Sequence, residues 1–262
     1  MISANLNFQS YGSGHPLIIL HGLFGSLDNC RTFAKDMGNT LRVFIPDLRN
    51  HGRSPRHDVF NYPVMADDLK LFMEQQQISS AYLMGHSMGG KVAMQFAETY
   101  PRKIDKLIVA DIAPRAYPPW HSYIFDALLP LDLSLFSSRK EIDRAIAPKI
   151  ECLPLRMLLL KNVMRDKNRT FRWKIHLEAI HRNYNEIGKA PTLTRKFRQP
   201  AMFVKGGQSD YIRPEDEERI RQFYPNAQMT VIENANHWLH VDDPRAFFRA
   251  VWDFLLPGTP YK

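Results

Sequence analysis

Two cysteines, Cys30 and Cys152, are all that the 262-residue chain carries. A disulfide framework is therefore excluded. Both thiols are expected to be reduced and packed in the core. No apolar run approaches the roughly 20 residues of a membrane helix. The start of the chain has no basic stretch leading into an apolar one, so no secretory signal is expected and a cytoplasmic location is. Low-complexity tracts and internal repeats are missing too. No nucleic-acid-binding motif accompanies the net charge of +8.

The positive charge is unevenly placed. Residues 115–198 hold 17 Lys and Arg against 8 Asp and Glu, a net of +9, and the remainder of the chain carries 18 against 19. The whole surplus lies in the middle segment, where it can serve as a solvated helical face or as an attractive field for an anion.

Short aliphatic runs recur at 16–21, 41–46, 80–85, 106–111, 200–205 and 228–233. Most are continuously apolar, the pattern of strands buried on both faces. Residues 2–9 alternate through Ile2, Ala4, Leu6 and Phe8, which predicts an antiparallel edge hairpin strand. Helical patterns fall at 28–38, 63–77, 88–99, 214–224 and 243–256. Strands alternating with helices predict an α/β fold with a mostly parallel twisted sheet flanked by helices. Between 111 and 200 the alternation breaks. Helical runs at 139–146, 155–164 and 173–187, punctuated by prolines, predict an inserted helical cap over 114–198. Residues 1–113 and 199–262 then form the core domain.

Gly85-His86-Ser87-Met88-Gly89-Gly90 stands between a buried strand and a helix. That context fits a nucleophile elbow, which lifts a serine hydroxyl above the sheet on a sharp turn. Gly85 and Gly89 lack the Cβ atoms that would clash there. A serine hydroxyl needs a base, and the base needs a third group to fix its tautomer. His237, just beyond the last strand, is the expected base. His240 is read as a neighbouring or surface residue. Two carboxylates qualify as the acid. Asp111 ends a strand at the same sheet edge, and Asp210 follows the strand at 200–205; the alternative roles are a carboxylate capping the linker and a turn or helix N-cap residue.

An oxyanion hole supplies N–H donors aimed at charge that develops only in the transition state. Met88 N–H, at the helix start, and Leu23 N–H, in the loop His21-Gly22-Leu23-Phe24-Gly25, are the expected pair. His21 is read as a brace beneath that loop. Phe24, His86 and Trp238, flanking these motifs, are the expected substrate-binding residues. Asp47, His51 and His57 match no standard metal-ligand spacing. A hydrogen-bonded rim loop is expected there, with no metal and no cofactor in the site. Arg53 is an alternative contact for an anionic substrate group.

Taken together, these residues resemble the α/β-hydrolase superfamily. More narrowly, Leu20–Asn29 (LHGLFGSLDN), Asp47–Ser54 (DLRNHGRS), Gly85–Ala93 (GHSMGGKVA) and His237-Trp238-Leu239-His240 resemble its YbfF-type esterase branch. The resemblance implies hydrolysis of short- to medium-chain acyl esters, with acyl-CoA thioesters as a further class. It makes Ser87 the nucleophile and His237 the base, and it favours Asp111 as the acid while the residues keep Asp210 open. Epoxide hydrolase and dehalogenase readings fail, because they require an aspartate where Ser87 stands. Carbon–carbon hydrolysis of a diketo acid, perhydrolysis, and non-catalytic binding of a small ligand are the alternatives. An interfacial lipase reading rests on the run Leu153–Lys161, whose apolar residues could meet lipid and whose basic residues could meet anionic heads. The expected partner is a small acyl ester or thioester, with neither nucleic acid nor membrane contact, on a monomer or small homo-oligomer.

Overall fold

A computed structural model describes residues 3–260. Its elements in chain order are β1 (Phe8–Tyr11), β2 (Pro16–Leu20), α1 (Leu27–Met37), β3 (Arg42–Pro46), α2 (Tyr62–Gln75), β4 (Ala81–His86), α3 (Met88–Thr99) and β5 (Ile104–Ala110). There follow α4 (Ser122–Leu128), α5 (Arg139–Ile146), α6 (Leu153–Leu160), β6 (Val163–Arg165), β7 (Phe171–Trp173), α7 (Leu177–Arg182) and α8 (Tyr184–Gly188). The chain then returns through β8 (Ala201–Gly206), α9 (Asp216–Phe223), β9 (Ala227–Ile232), α10 (Leu239–Asp242) and α11 (Pro244–Leu255).

The described residues form a 7-stranded sheet in the order β1-β3-β2-β4-β5-β8-β9. Every pairing is parallel except β1 with β3. The apolar runs become strands because their alternate side chains feed two separate cores. Ile18, Phe44, Leu83, Leu107 and Phe203 point to one face, where α2 and α3 pack. Leu17, Val43, Met84, Ile108 and Met202 point to the other, against α1 and α11. Local signals fix the helix starts. Asn61 accepts from the Val64 N–H at 3.1 Å ahead of α2, and Asp243 accepts from the Ala246 N–H at 3.0 Å ahead of α11.

Three expectations need correction. The edge strand is 8–11 rather than 2–9, and it pairs with β3, not with the strand that follows it. Ala4 and Leu6 are buried outside the ladder, because the Ala4 N–H donates at 2.6 Å to Asp68 on α2 rather than to a strand; Ile2 lies outside the described residues. The helices expected at 155–164 and 173–187 are shorter. A two-stranded hairpin, β6–β7, takes the residues between them. The cause is the turn: Asp166 Oδ1 accepts from the Asn168 and Thr170 N–H groups, both at 2.9 Å, and Arg169 takes a left-handed φ of 62°. Lastly, Cys152 is exposed and only Cys30 is in the core.

The connection between β5 and β8 contributes Ile124, Phe125, Ile142 and Ile146 to the same apolar cluster as α2 and α3. Polar ties fasten it as well. The Tyr62 hydroxyl donates to the Ile187 carbonyl at 2.6 Å, and the His176 N–H to the Asn50 carbonyl at 2.8 Å. No helix of the described residues is long and apolar enough to cross a membrane.

Candidate active site

Parallel register carries three strand ends to one edge of the sheet. His86 pairs with Ala110, and Ala110 with Val204. The chain past each end is held to its neighbour: the Ser87 N–H donates to the Ala110 carbonyl at 2.9 Å, and the Asp111 N–H to the Val204 carbonyl at 2.8 Å. Ser87 turns from β4 into α3 at φ 53° and ψ −120°. This left-handed backbone on a non-glycine residue costs about 1–3 kcal/mol and persists because its surroundings over-determine it. A Cβ on Gly85 would sit 2.1 Å from the Gly89 carbonyl oxygen, and one on Gly89 would sit 2.5 Å from that of Leu20. Only glycine permits those approaches, and they aim the serine out of the turn.

Ser87 Oγ lies 3.1 Å from His237 Nε2, and His237 Nδ1 lies 2.8 Å from Asp111 Oδ2. The tautomer follows from the acceptor: Nδ1–H donates to the carboxylate, which leaves Nε2 to accept the serine proton. Asp111 is fully buried. Its carboxylate also accepts from the Gly206 N–H at 3.0 Å and from the Ser209 hydroxyl. Asp210, the other sequence candidate, is exposed one residue beyond Ser209. The phenol ring of Tyr211 stacks on His237 with centroids 3.8 Å apart and planes 15° apart.

Leu23 and Met88 line one cavity wall beside Ser87. Among the described residues neither backbone N–H donates to a protein acceptor. Histidines brace the Leu23 loop from beneath. His21 donates Nδ1–H to the Gly22 carbonyl at 2.8 Å and accepts from the Leu48 N–H at 3.0 Å. His51 donates to the Arg49 carbonyl at 3.0 Å and accepts from the Phe24 N–H at 3.3 Å. Burial pushes His21 down to about 4 and His51 down to about 3, so both are neutral braces. Asp47 performs a similar task for the rim loop, accepting from the N–H groups of Leu27 at 2.8 Å and Arg53 at 2.9 Å. Arg53 itself is exposed.

Phe24, His86 and Trp238 all line the main apolar cavity over Ser87, together with Leu155 and Leu158 of α6. His86 donates Nε2–H to the His237 carbonyl at 2.7 Å and lies 4.8 Å from that ring. Burial holds His86 well below the ordinary histidine range, with His237 adding to the effect. His240 packs edge-on to His86 at 5.4 Å and is pushed down to about 4 by burial. It belongs to the cavity wall rather than the surface.

Sequence reasoning missed Tyr211, Asn162 and Lys91. Asn162 is buried and donates Nδ2–H to the Phe24 carbonyl at 2.6 Å, tying the inserted segment to the Leu23 loop. Tyr211 carried a signal, since it follows Ser209 in the loop after β8. Asn162 carried none, because its partner is 138 residues away.

A strand-to-helix elbow that sets a serine in line with a histidine and a carboxylate, at the edge of a mostly parallel sheet flanked by helices, is the arrangement of an α/β-hydrolase fold. The comparisons agree. Residues 15–150 match the family described as the alpha/beta hydrolase fold, and the chain belongs to that family. It is 34% identical over 258 residues to the sn-1-specific diacylglycerol lipase ABHD11 of Danio rerio, covering 95% of this chain and 81% of that one. It is likewise 34% identical to Esterase YbfF of Escherichia coli K12, over 94% of this chain and 95% of that one. A solved marine microorganism esterase superposes with a TM-score of 0.94 at 42% identity, over 96% of this chain and all of the other.

Proposed function

We propose that the protein is a serine carboxylesterase that cleaves short- to medium-chain acyl esters, and thioesters of the same acyl groups, through an acyl-enzyme. Ser87 is the nucleophile, His237 the general base and Asp111 the acid. Ser87 Oγ attacks the carbonyl while Nε2 of His237 takes its proton. Asp111 holds the Nδ1–H tautomer and stabilises the imidazolium that forms. The amides of Leu23 and Met88 donate to the oxyanion, each worth roughly 3–4 kcal/mol in the transition state. The imidazolium then protonates the departing alcohol or thiol. Water repeats the sequence on the acyl-enzyme, releasing the acid and restoring Ser87.

Residues 114–198 act as a cap over this site in a cytoplasmic enzyme. Its Ile124, Leu155 and Leu158 supply apolar wall for the acyl chain. The single observation that carries the reading is the unbroken line from Ser87 Oγ through His237 to a fully buried Asp111. The ester class is supported by relatives named as a lipase and as esterases.

Hydrolysis of p-nitrophenyl esters from acetate to palmitate tests it. Activity should peak at short to medium chains, and Ser87→Ala should lower kcat by roughly 10⁴-fold or more. Ester hydrolysis that survives Ser87→Ala at the wild-type rate removes the nucleophile from the scheme.

A further inference from the structure

Lys91 lies one helical turn after Ser87, on α3, and is 2% exposed. Its ammonium donates to the carbonyls of Gly188 at 3.2 Å and Lys189 at 2.6 Å. It also lies 4.6 Å from the Tyr117 ring centroid and 5.5 Å from that of Tyr62. An ammonium has three donors, so one is left over. No carboxylate of the described residues forms an ion pair with it. The charge nearest in effect is the Arg115 guanidinium, which repels it and is itself paired with Asp216 at 2.9 Å. A buried charge without a counter-charge is expensive, and a ligand carboxylate would supply the missing partner.

The surroundings supply the place. Lys91, Tyr62 and Tyr117 line a second, smaller cavity, and Ser87 and Met88 line it too. Ser87 therefore lines both an apolar cavity walled by Phe24, Leu155 and Trp238 and a smaller one whose lining includes the Lys91 cation.

We infer that Lys91 is a specificity-determining residue that binds a carboxylate carried by the ester, in the smaller cavity that Lys91 and Ser87 both line. The inference rests on Ser87 being the nucleophile and adds the substrate class: esters with one apolar arm and one short anionic arm. Burial, with Arg115 adding to it, pushes the Lys91 ammonium down to about 7. Tyr62 and Tyr117 face it as neutral phenols, since burial raises both above the ordinary tyrosine range. A bound carboxylate supplies what the fold omits and holds the proton on.

Matched pairs read this directly. p-Nitrophenyl hemisuccinate against p-nitrophenyl butyrate places the charge on the acyl arm; 3-carboxyphenyl butyrate against phenyl butyrate places it on the leaving arm. For one of the two pairs the anionic-to-neutral ratio of kcat/KM should fall at least tenfold in Lys91→Met and recover in part in Lys91→Arg. The change should fall on KM more than on kcat. In the wild type the same ratio should decline as pH rises from 6 to 9, an arm that needs no variant to fold. A ratio unchanged by Lys91→Met and flat with pH in both pairs overturns the inference and leaves Lys91 a clamp on the Gly188 and Lys189 carbonyls. Failure to hydrolyse any neutral ester would instead overturn the esterase reading.

Discussion

Asp111 accepts from His237, Ser209 and the Gly206 amide, and it does so with no water contact. Those three donors supply hydrogen-bond partners to a carboxylate that burial cuts off from solvent. Its own backbone is left-handed, at φ 49°, so the residue turns out of β5 at the moment its side chain must reach His237. Asp111→Asn keeps the shape and removes the charge that stabilises the imidazolium. It should lower kcat on p-nitrophenyl butyrate by roughly 10⁴-fold with little effect on KM. Asp210→Asn, at an exposed position, should stay within about twofold of wild type. The reverse order of the two variants, measured side by side, would move the acid to Asp210. The structure gives Ser209 a place in the network, as a donor to the acid.

At the scale of elements, two loops built after strand ends, those following β2 and β3, frame the site, and both are fastened by distant side chains. The rim loop after β3 is locked by Arg49, whose guanidinium donates to both oxygens of Asp68 on α2, at 2.5 and 2.6 Å, with both side chains buried. Asp68→Asn removes the negative charge from this buried pair, a loss of about 3–5 kcal/mol. A thermal melt should show a Tm lower by roughly 10 °C; a shift under about 2 °C would mean the pair contributes no more than a surface bridge. The loop that carries Leu23 is fastened by Asn162, from the middle of the inserted segment. Asn162→Ala strands the buried Phe24 carbonyl at a cost of about 1–3 kcal/mol. If the strain reaches the Leu23 amide, kcat should fall about tenfold while KM holds. A fall in Tm with kcat unchanged would confine Asn162 to stability.

The elements that were legible beforehand are those whose signal is local. β2, β4, β5 and β8 are apolar on both faces, and α2, α3 and α11 have caps or periodic faces close in sequence. The elbow and His237 were legible because chain order and turn chemistry fix them. The β6–β7 hairpin was not: three-residue strands such as Val163–Arg165 are too short to show a period, and only the polar turn at Asp166–Thr170 marked it. Tyr211 over His237, Asn162 beneath Phe24 and Lys91 beneath the inserted segment depend on packing between distant parts of the chain, which no window of sequence contains.

Over the whole molecule, the buried histidines act in one direction. His21, His51 and His240 are pushed from 6.5 down to about 4, 3 and 4 by burial, and His86 is lowered by the same cause. In the unfolded chain all of them take up protons near pH 6.5, whereas in the folded chain they do not. Stability is therefore complete, as far as these four are concerned, above pH 6.5 and is lost progressively as pH falls toward about 4. Lys91 has the same sign at higher pH. Its folded value of about 7 lies below its ordinary 10.5, so the unfolded chain binds the extra proton between the two and stability rises with pH across that interval. On the alkaline side the buried Cys30 thiol, raised from 9.0 to about 12, and Tyr224, raised from 10.0, reverse the trend. Their unfolded forms ionise first, and stability falls once pH passes about 9–10. These opposing slopes place the maximum on the alkaline side of neutrality, near pH 8–9, rather than in the mildly acidic range. Tm measured by circular dichroism at pH 5, 6, 7, 8.5 and 10 should climb from the first value to the fourth and drop at the last. A curve that peaks at pH 5–6 would mean that these histidines are charged in the folded protein, and the neutral braces under the Leu23 loop would have to be reassigned with them.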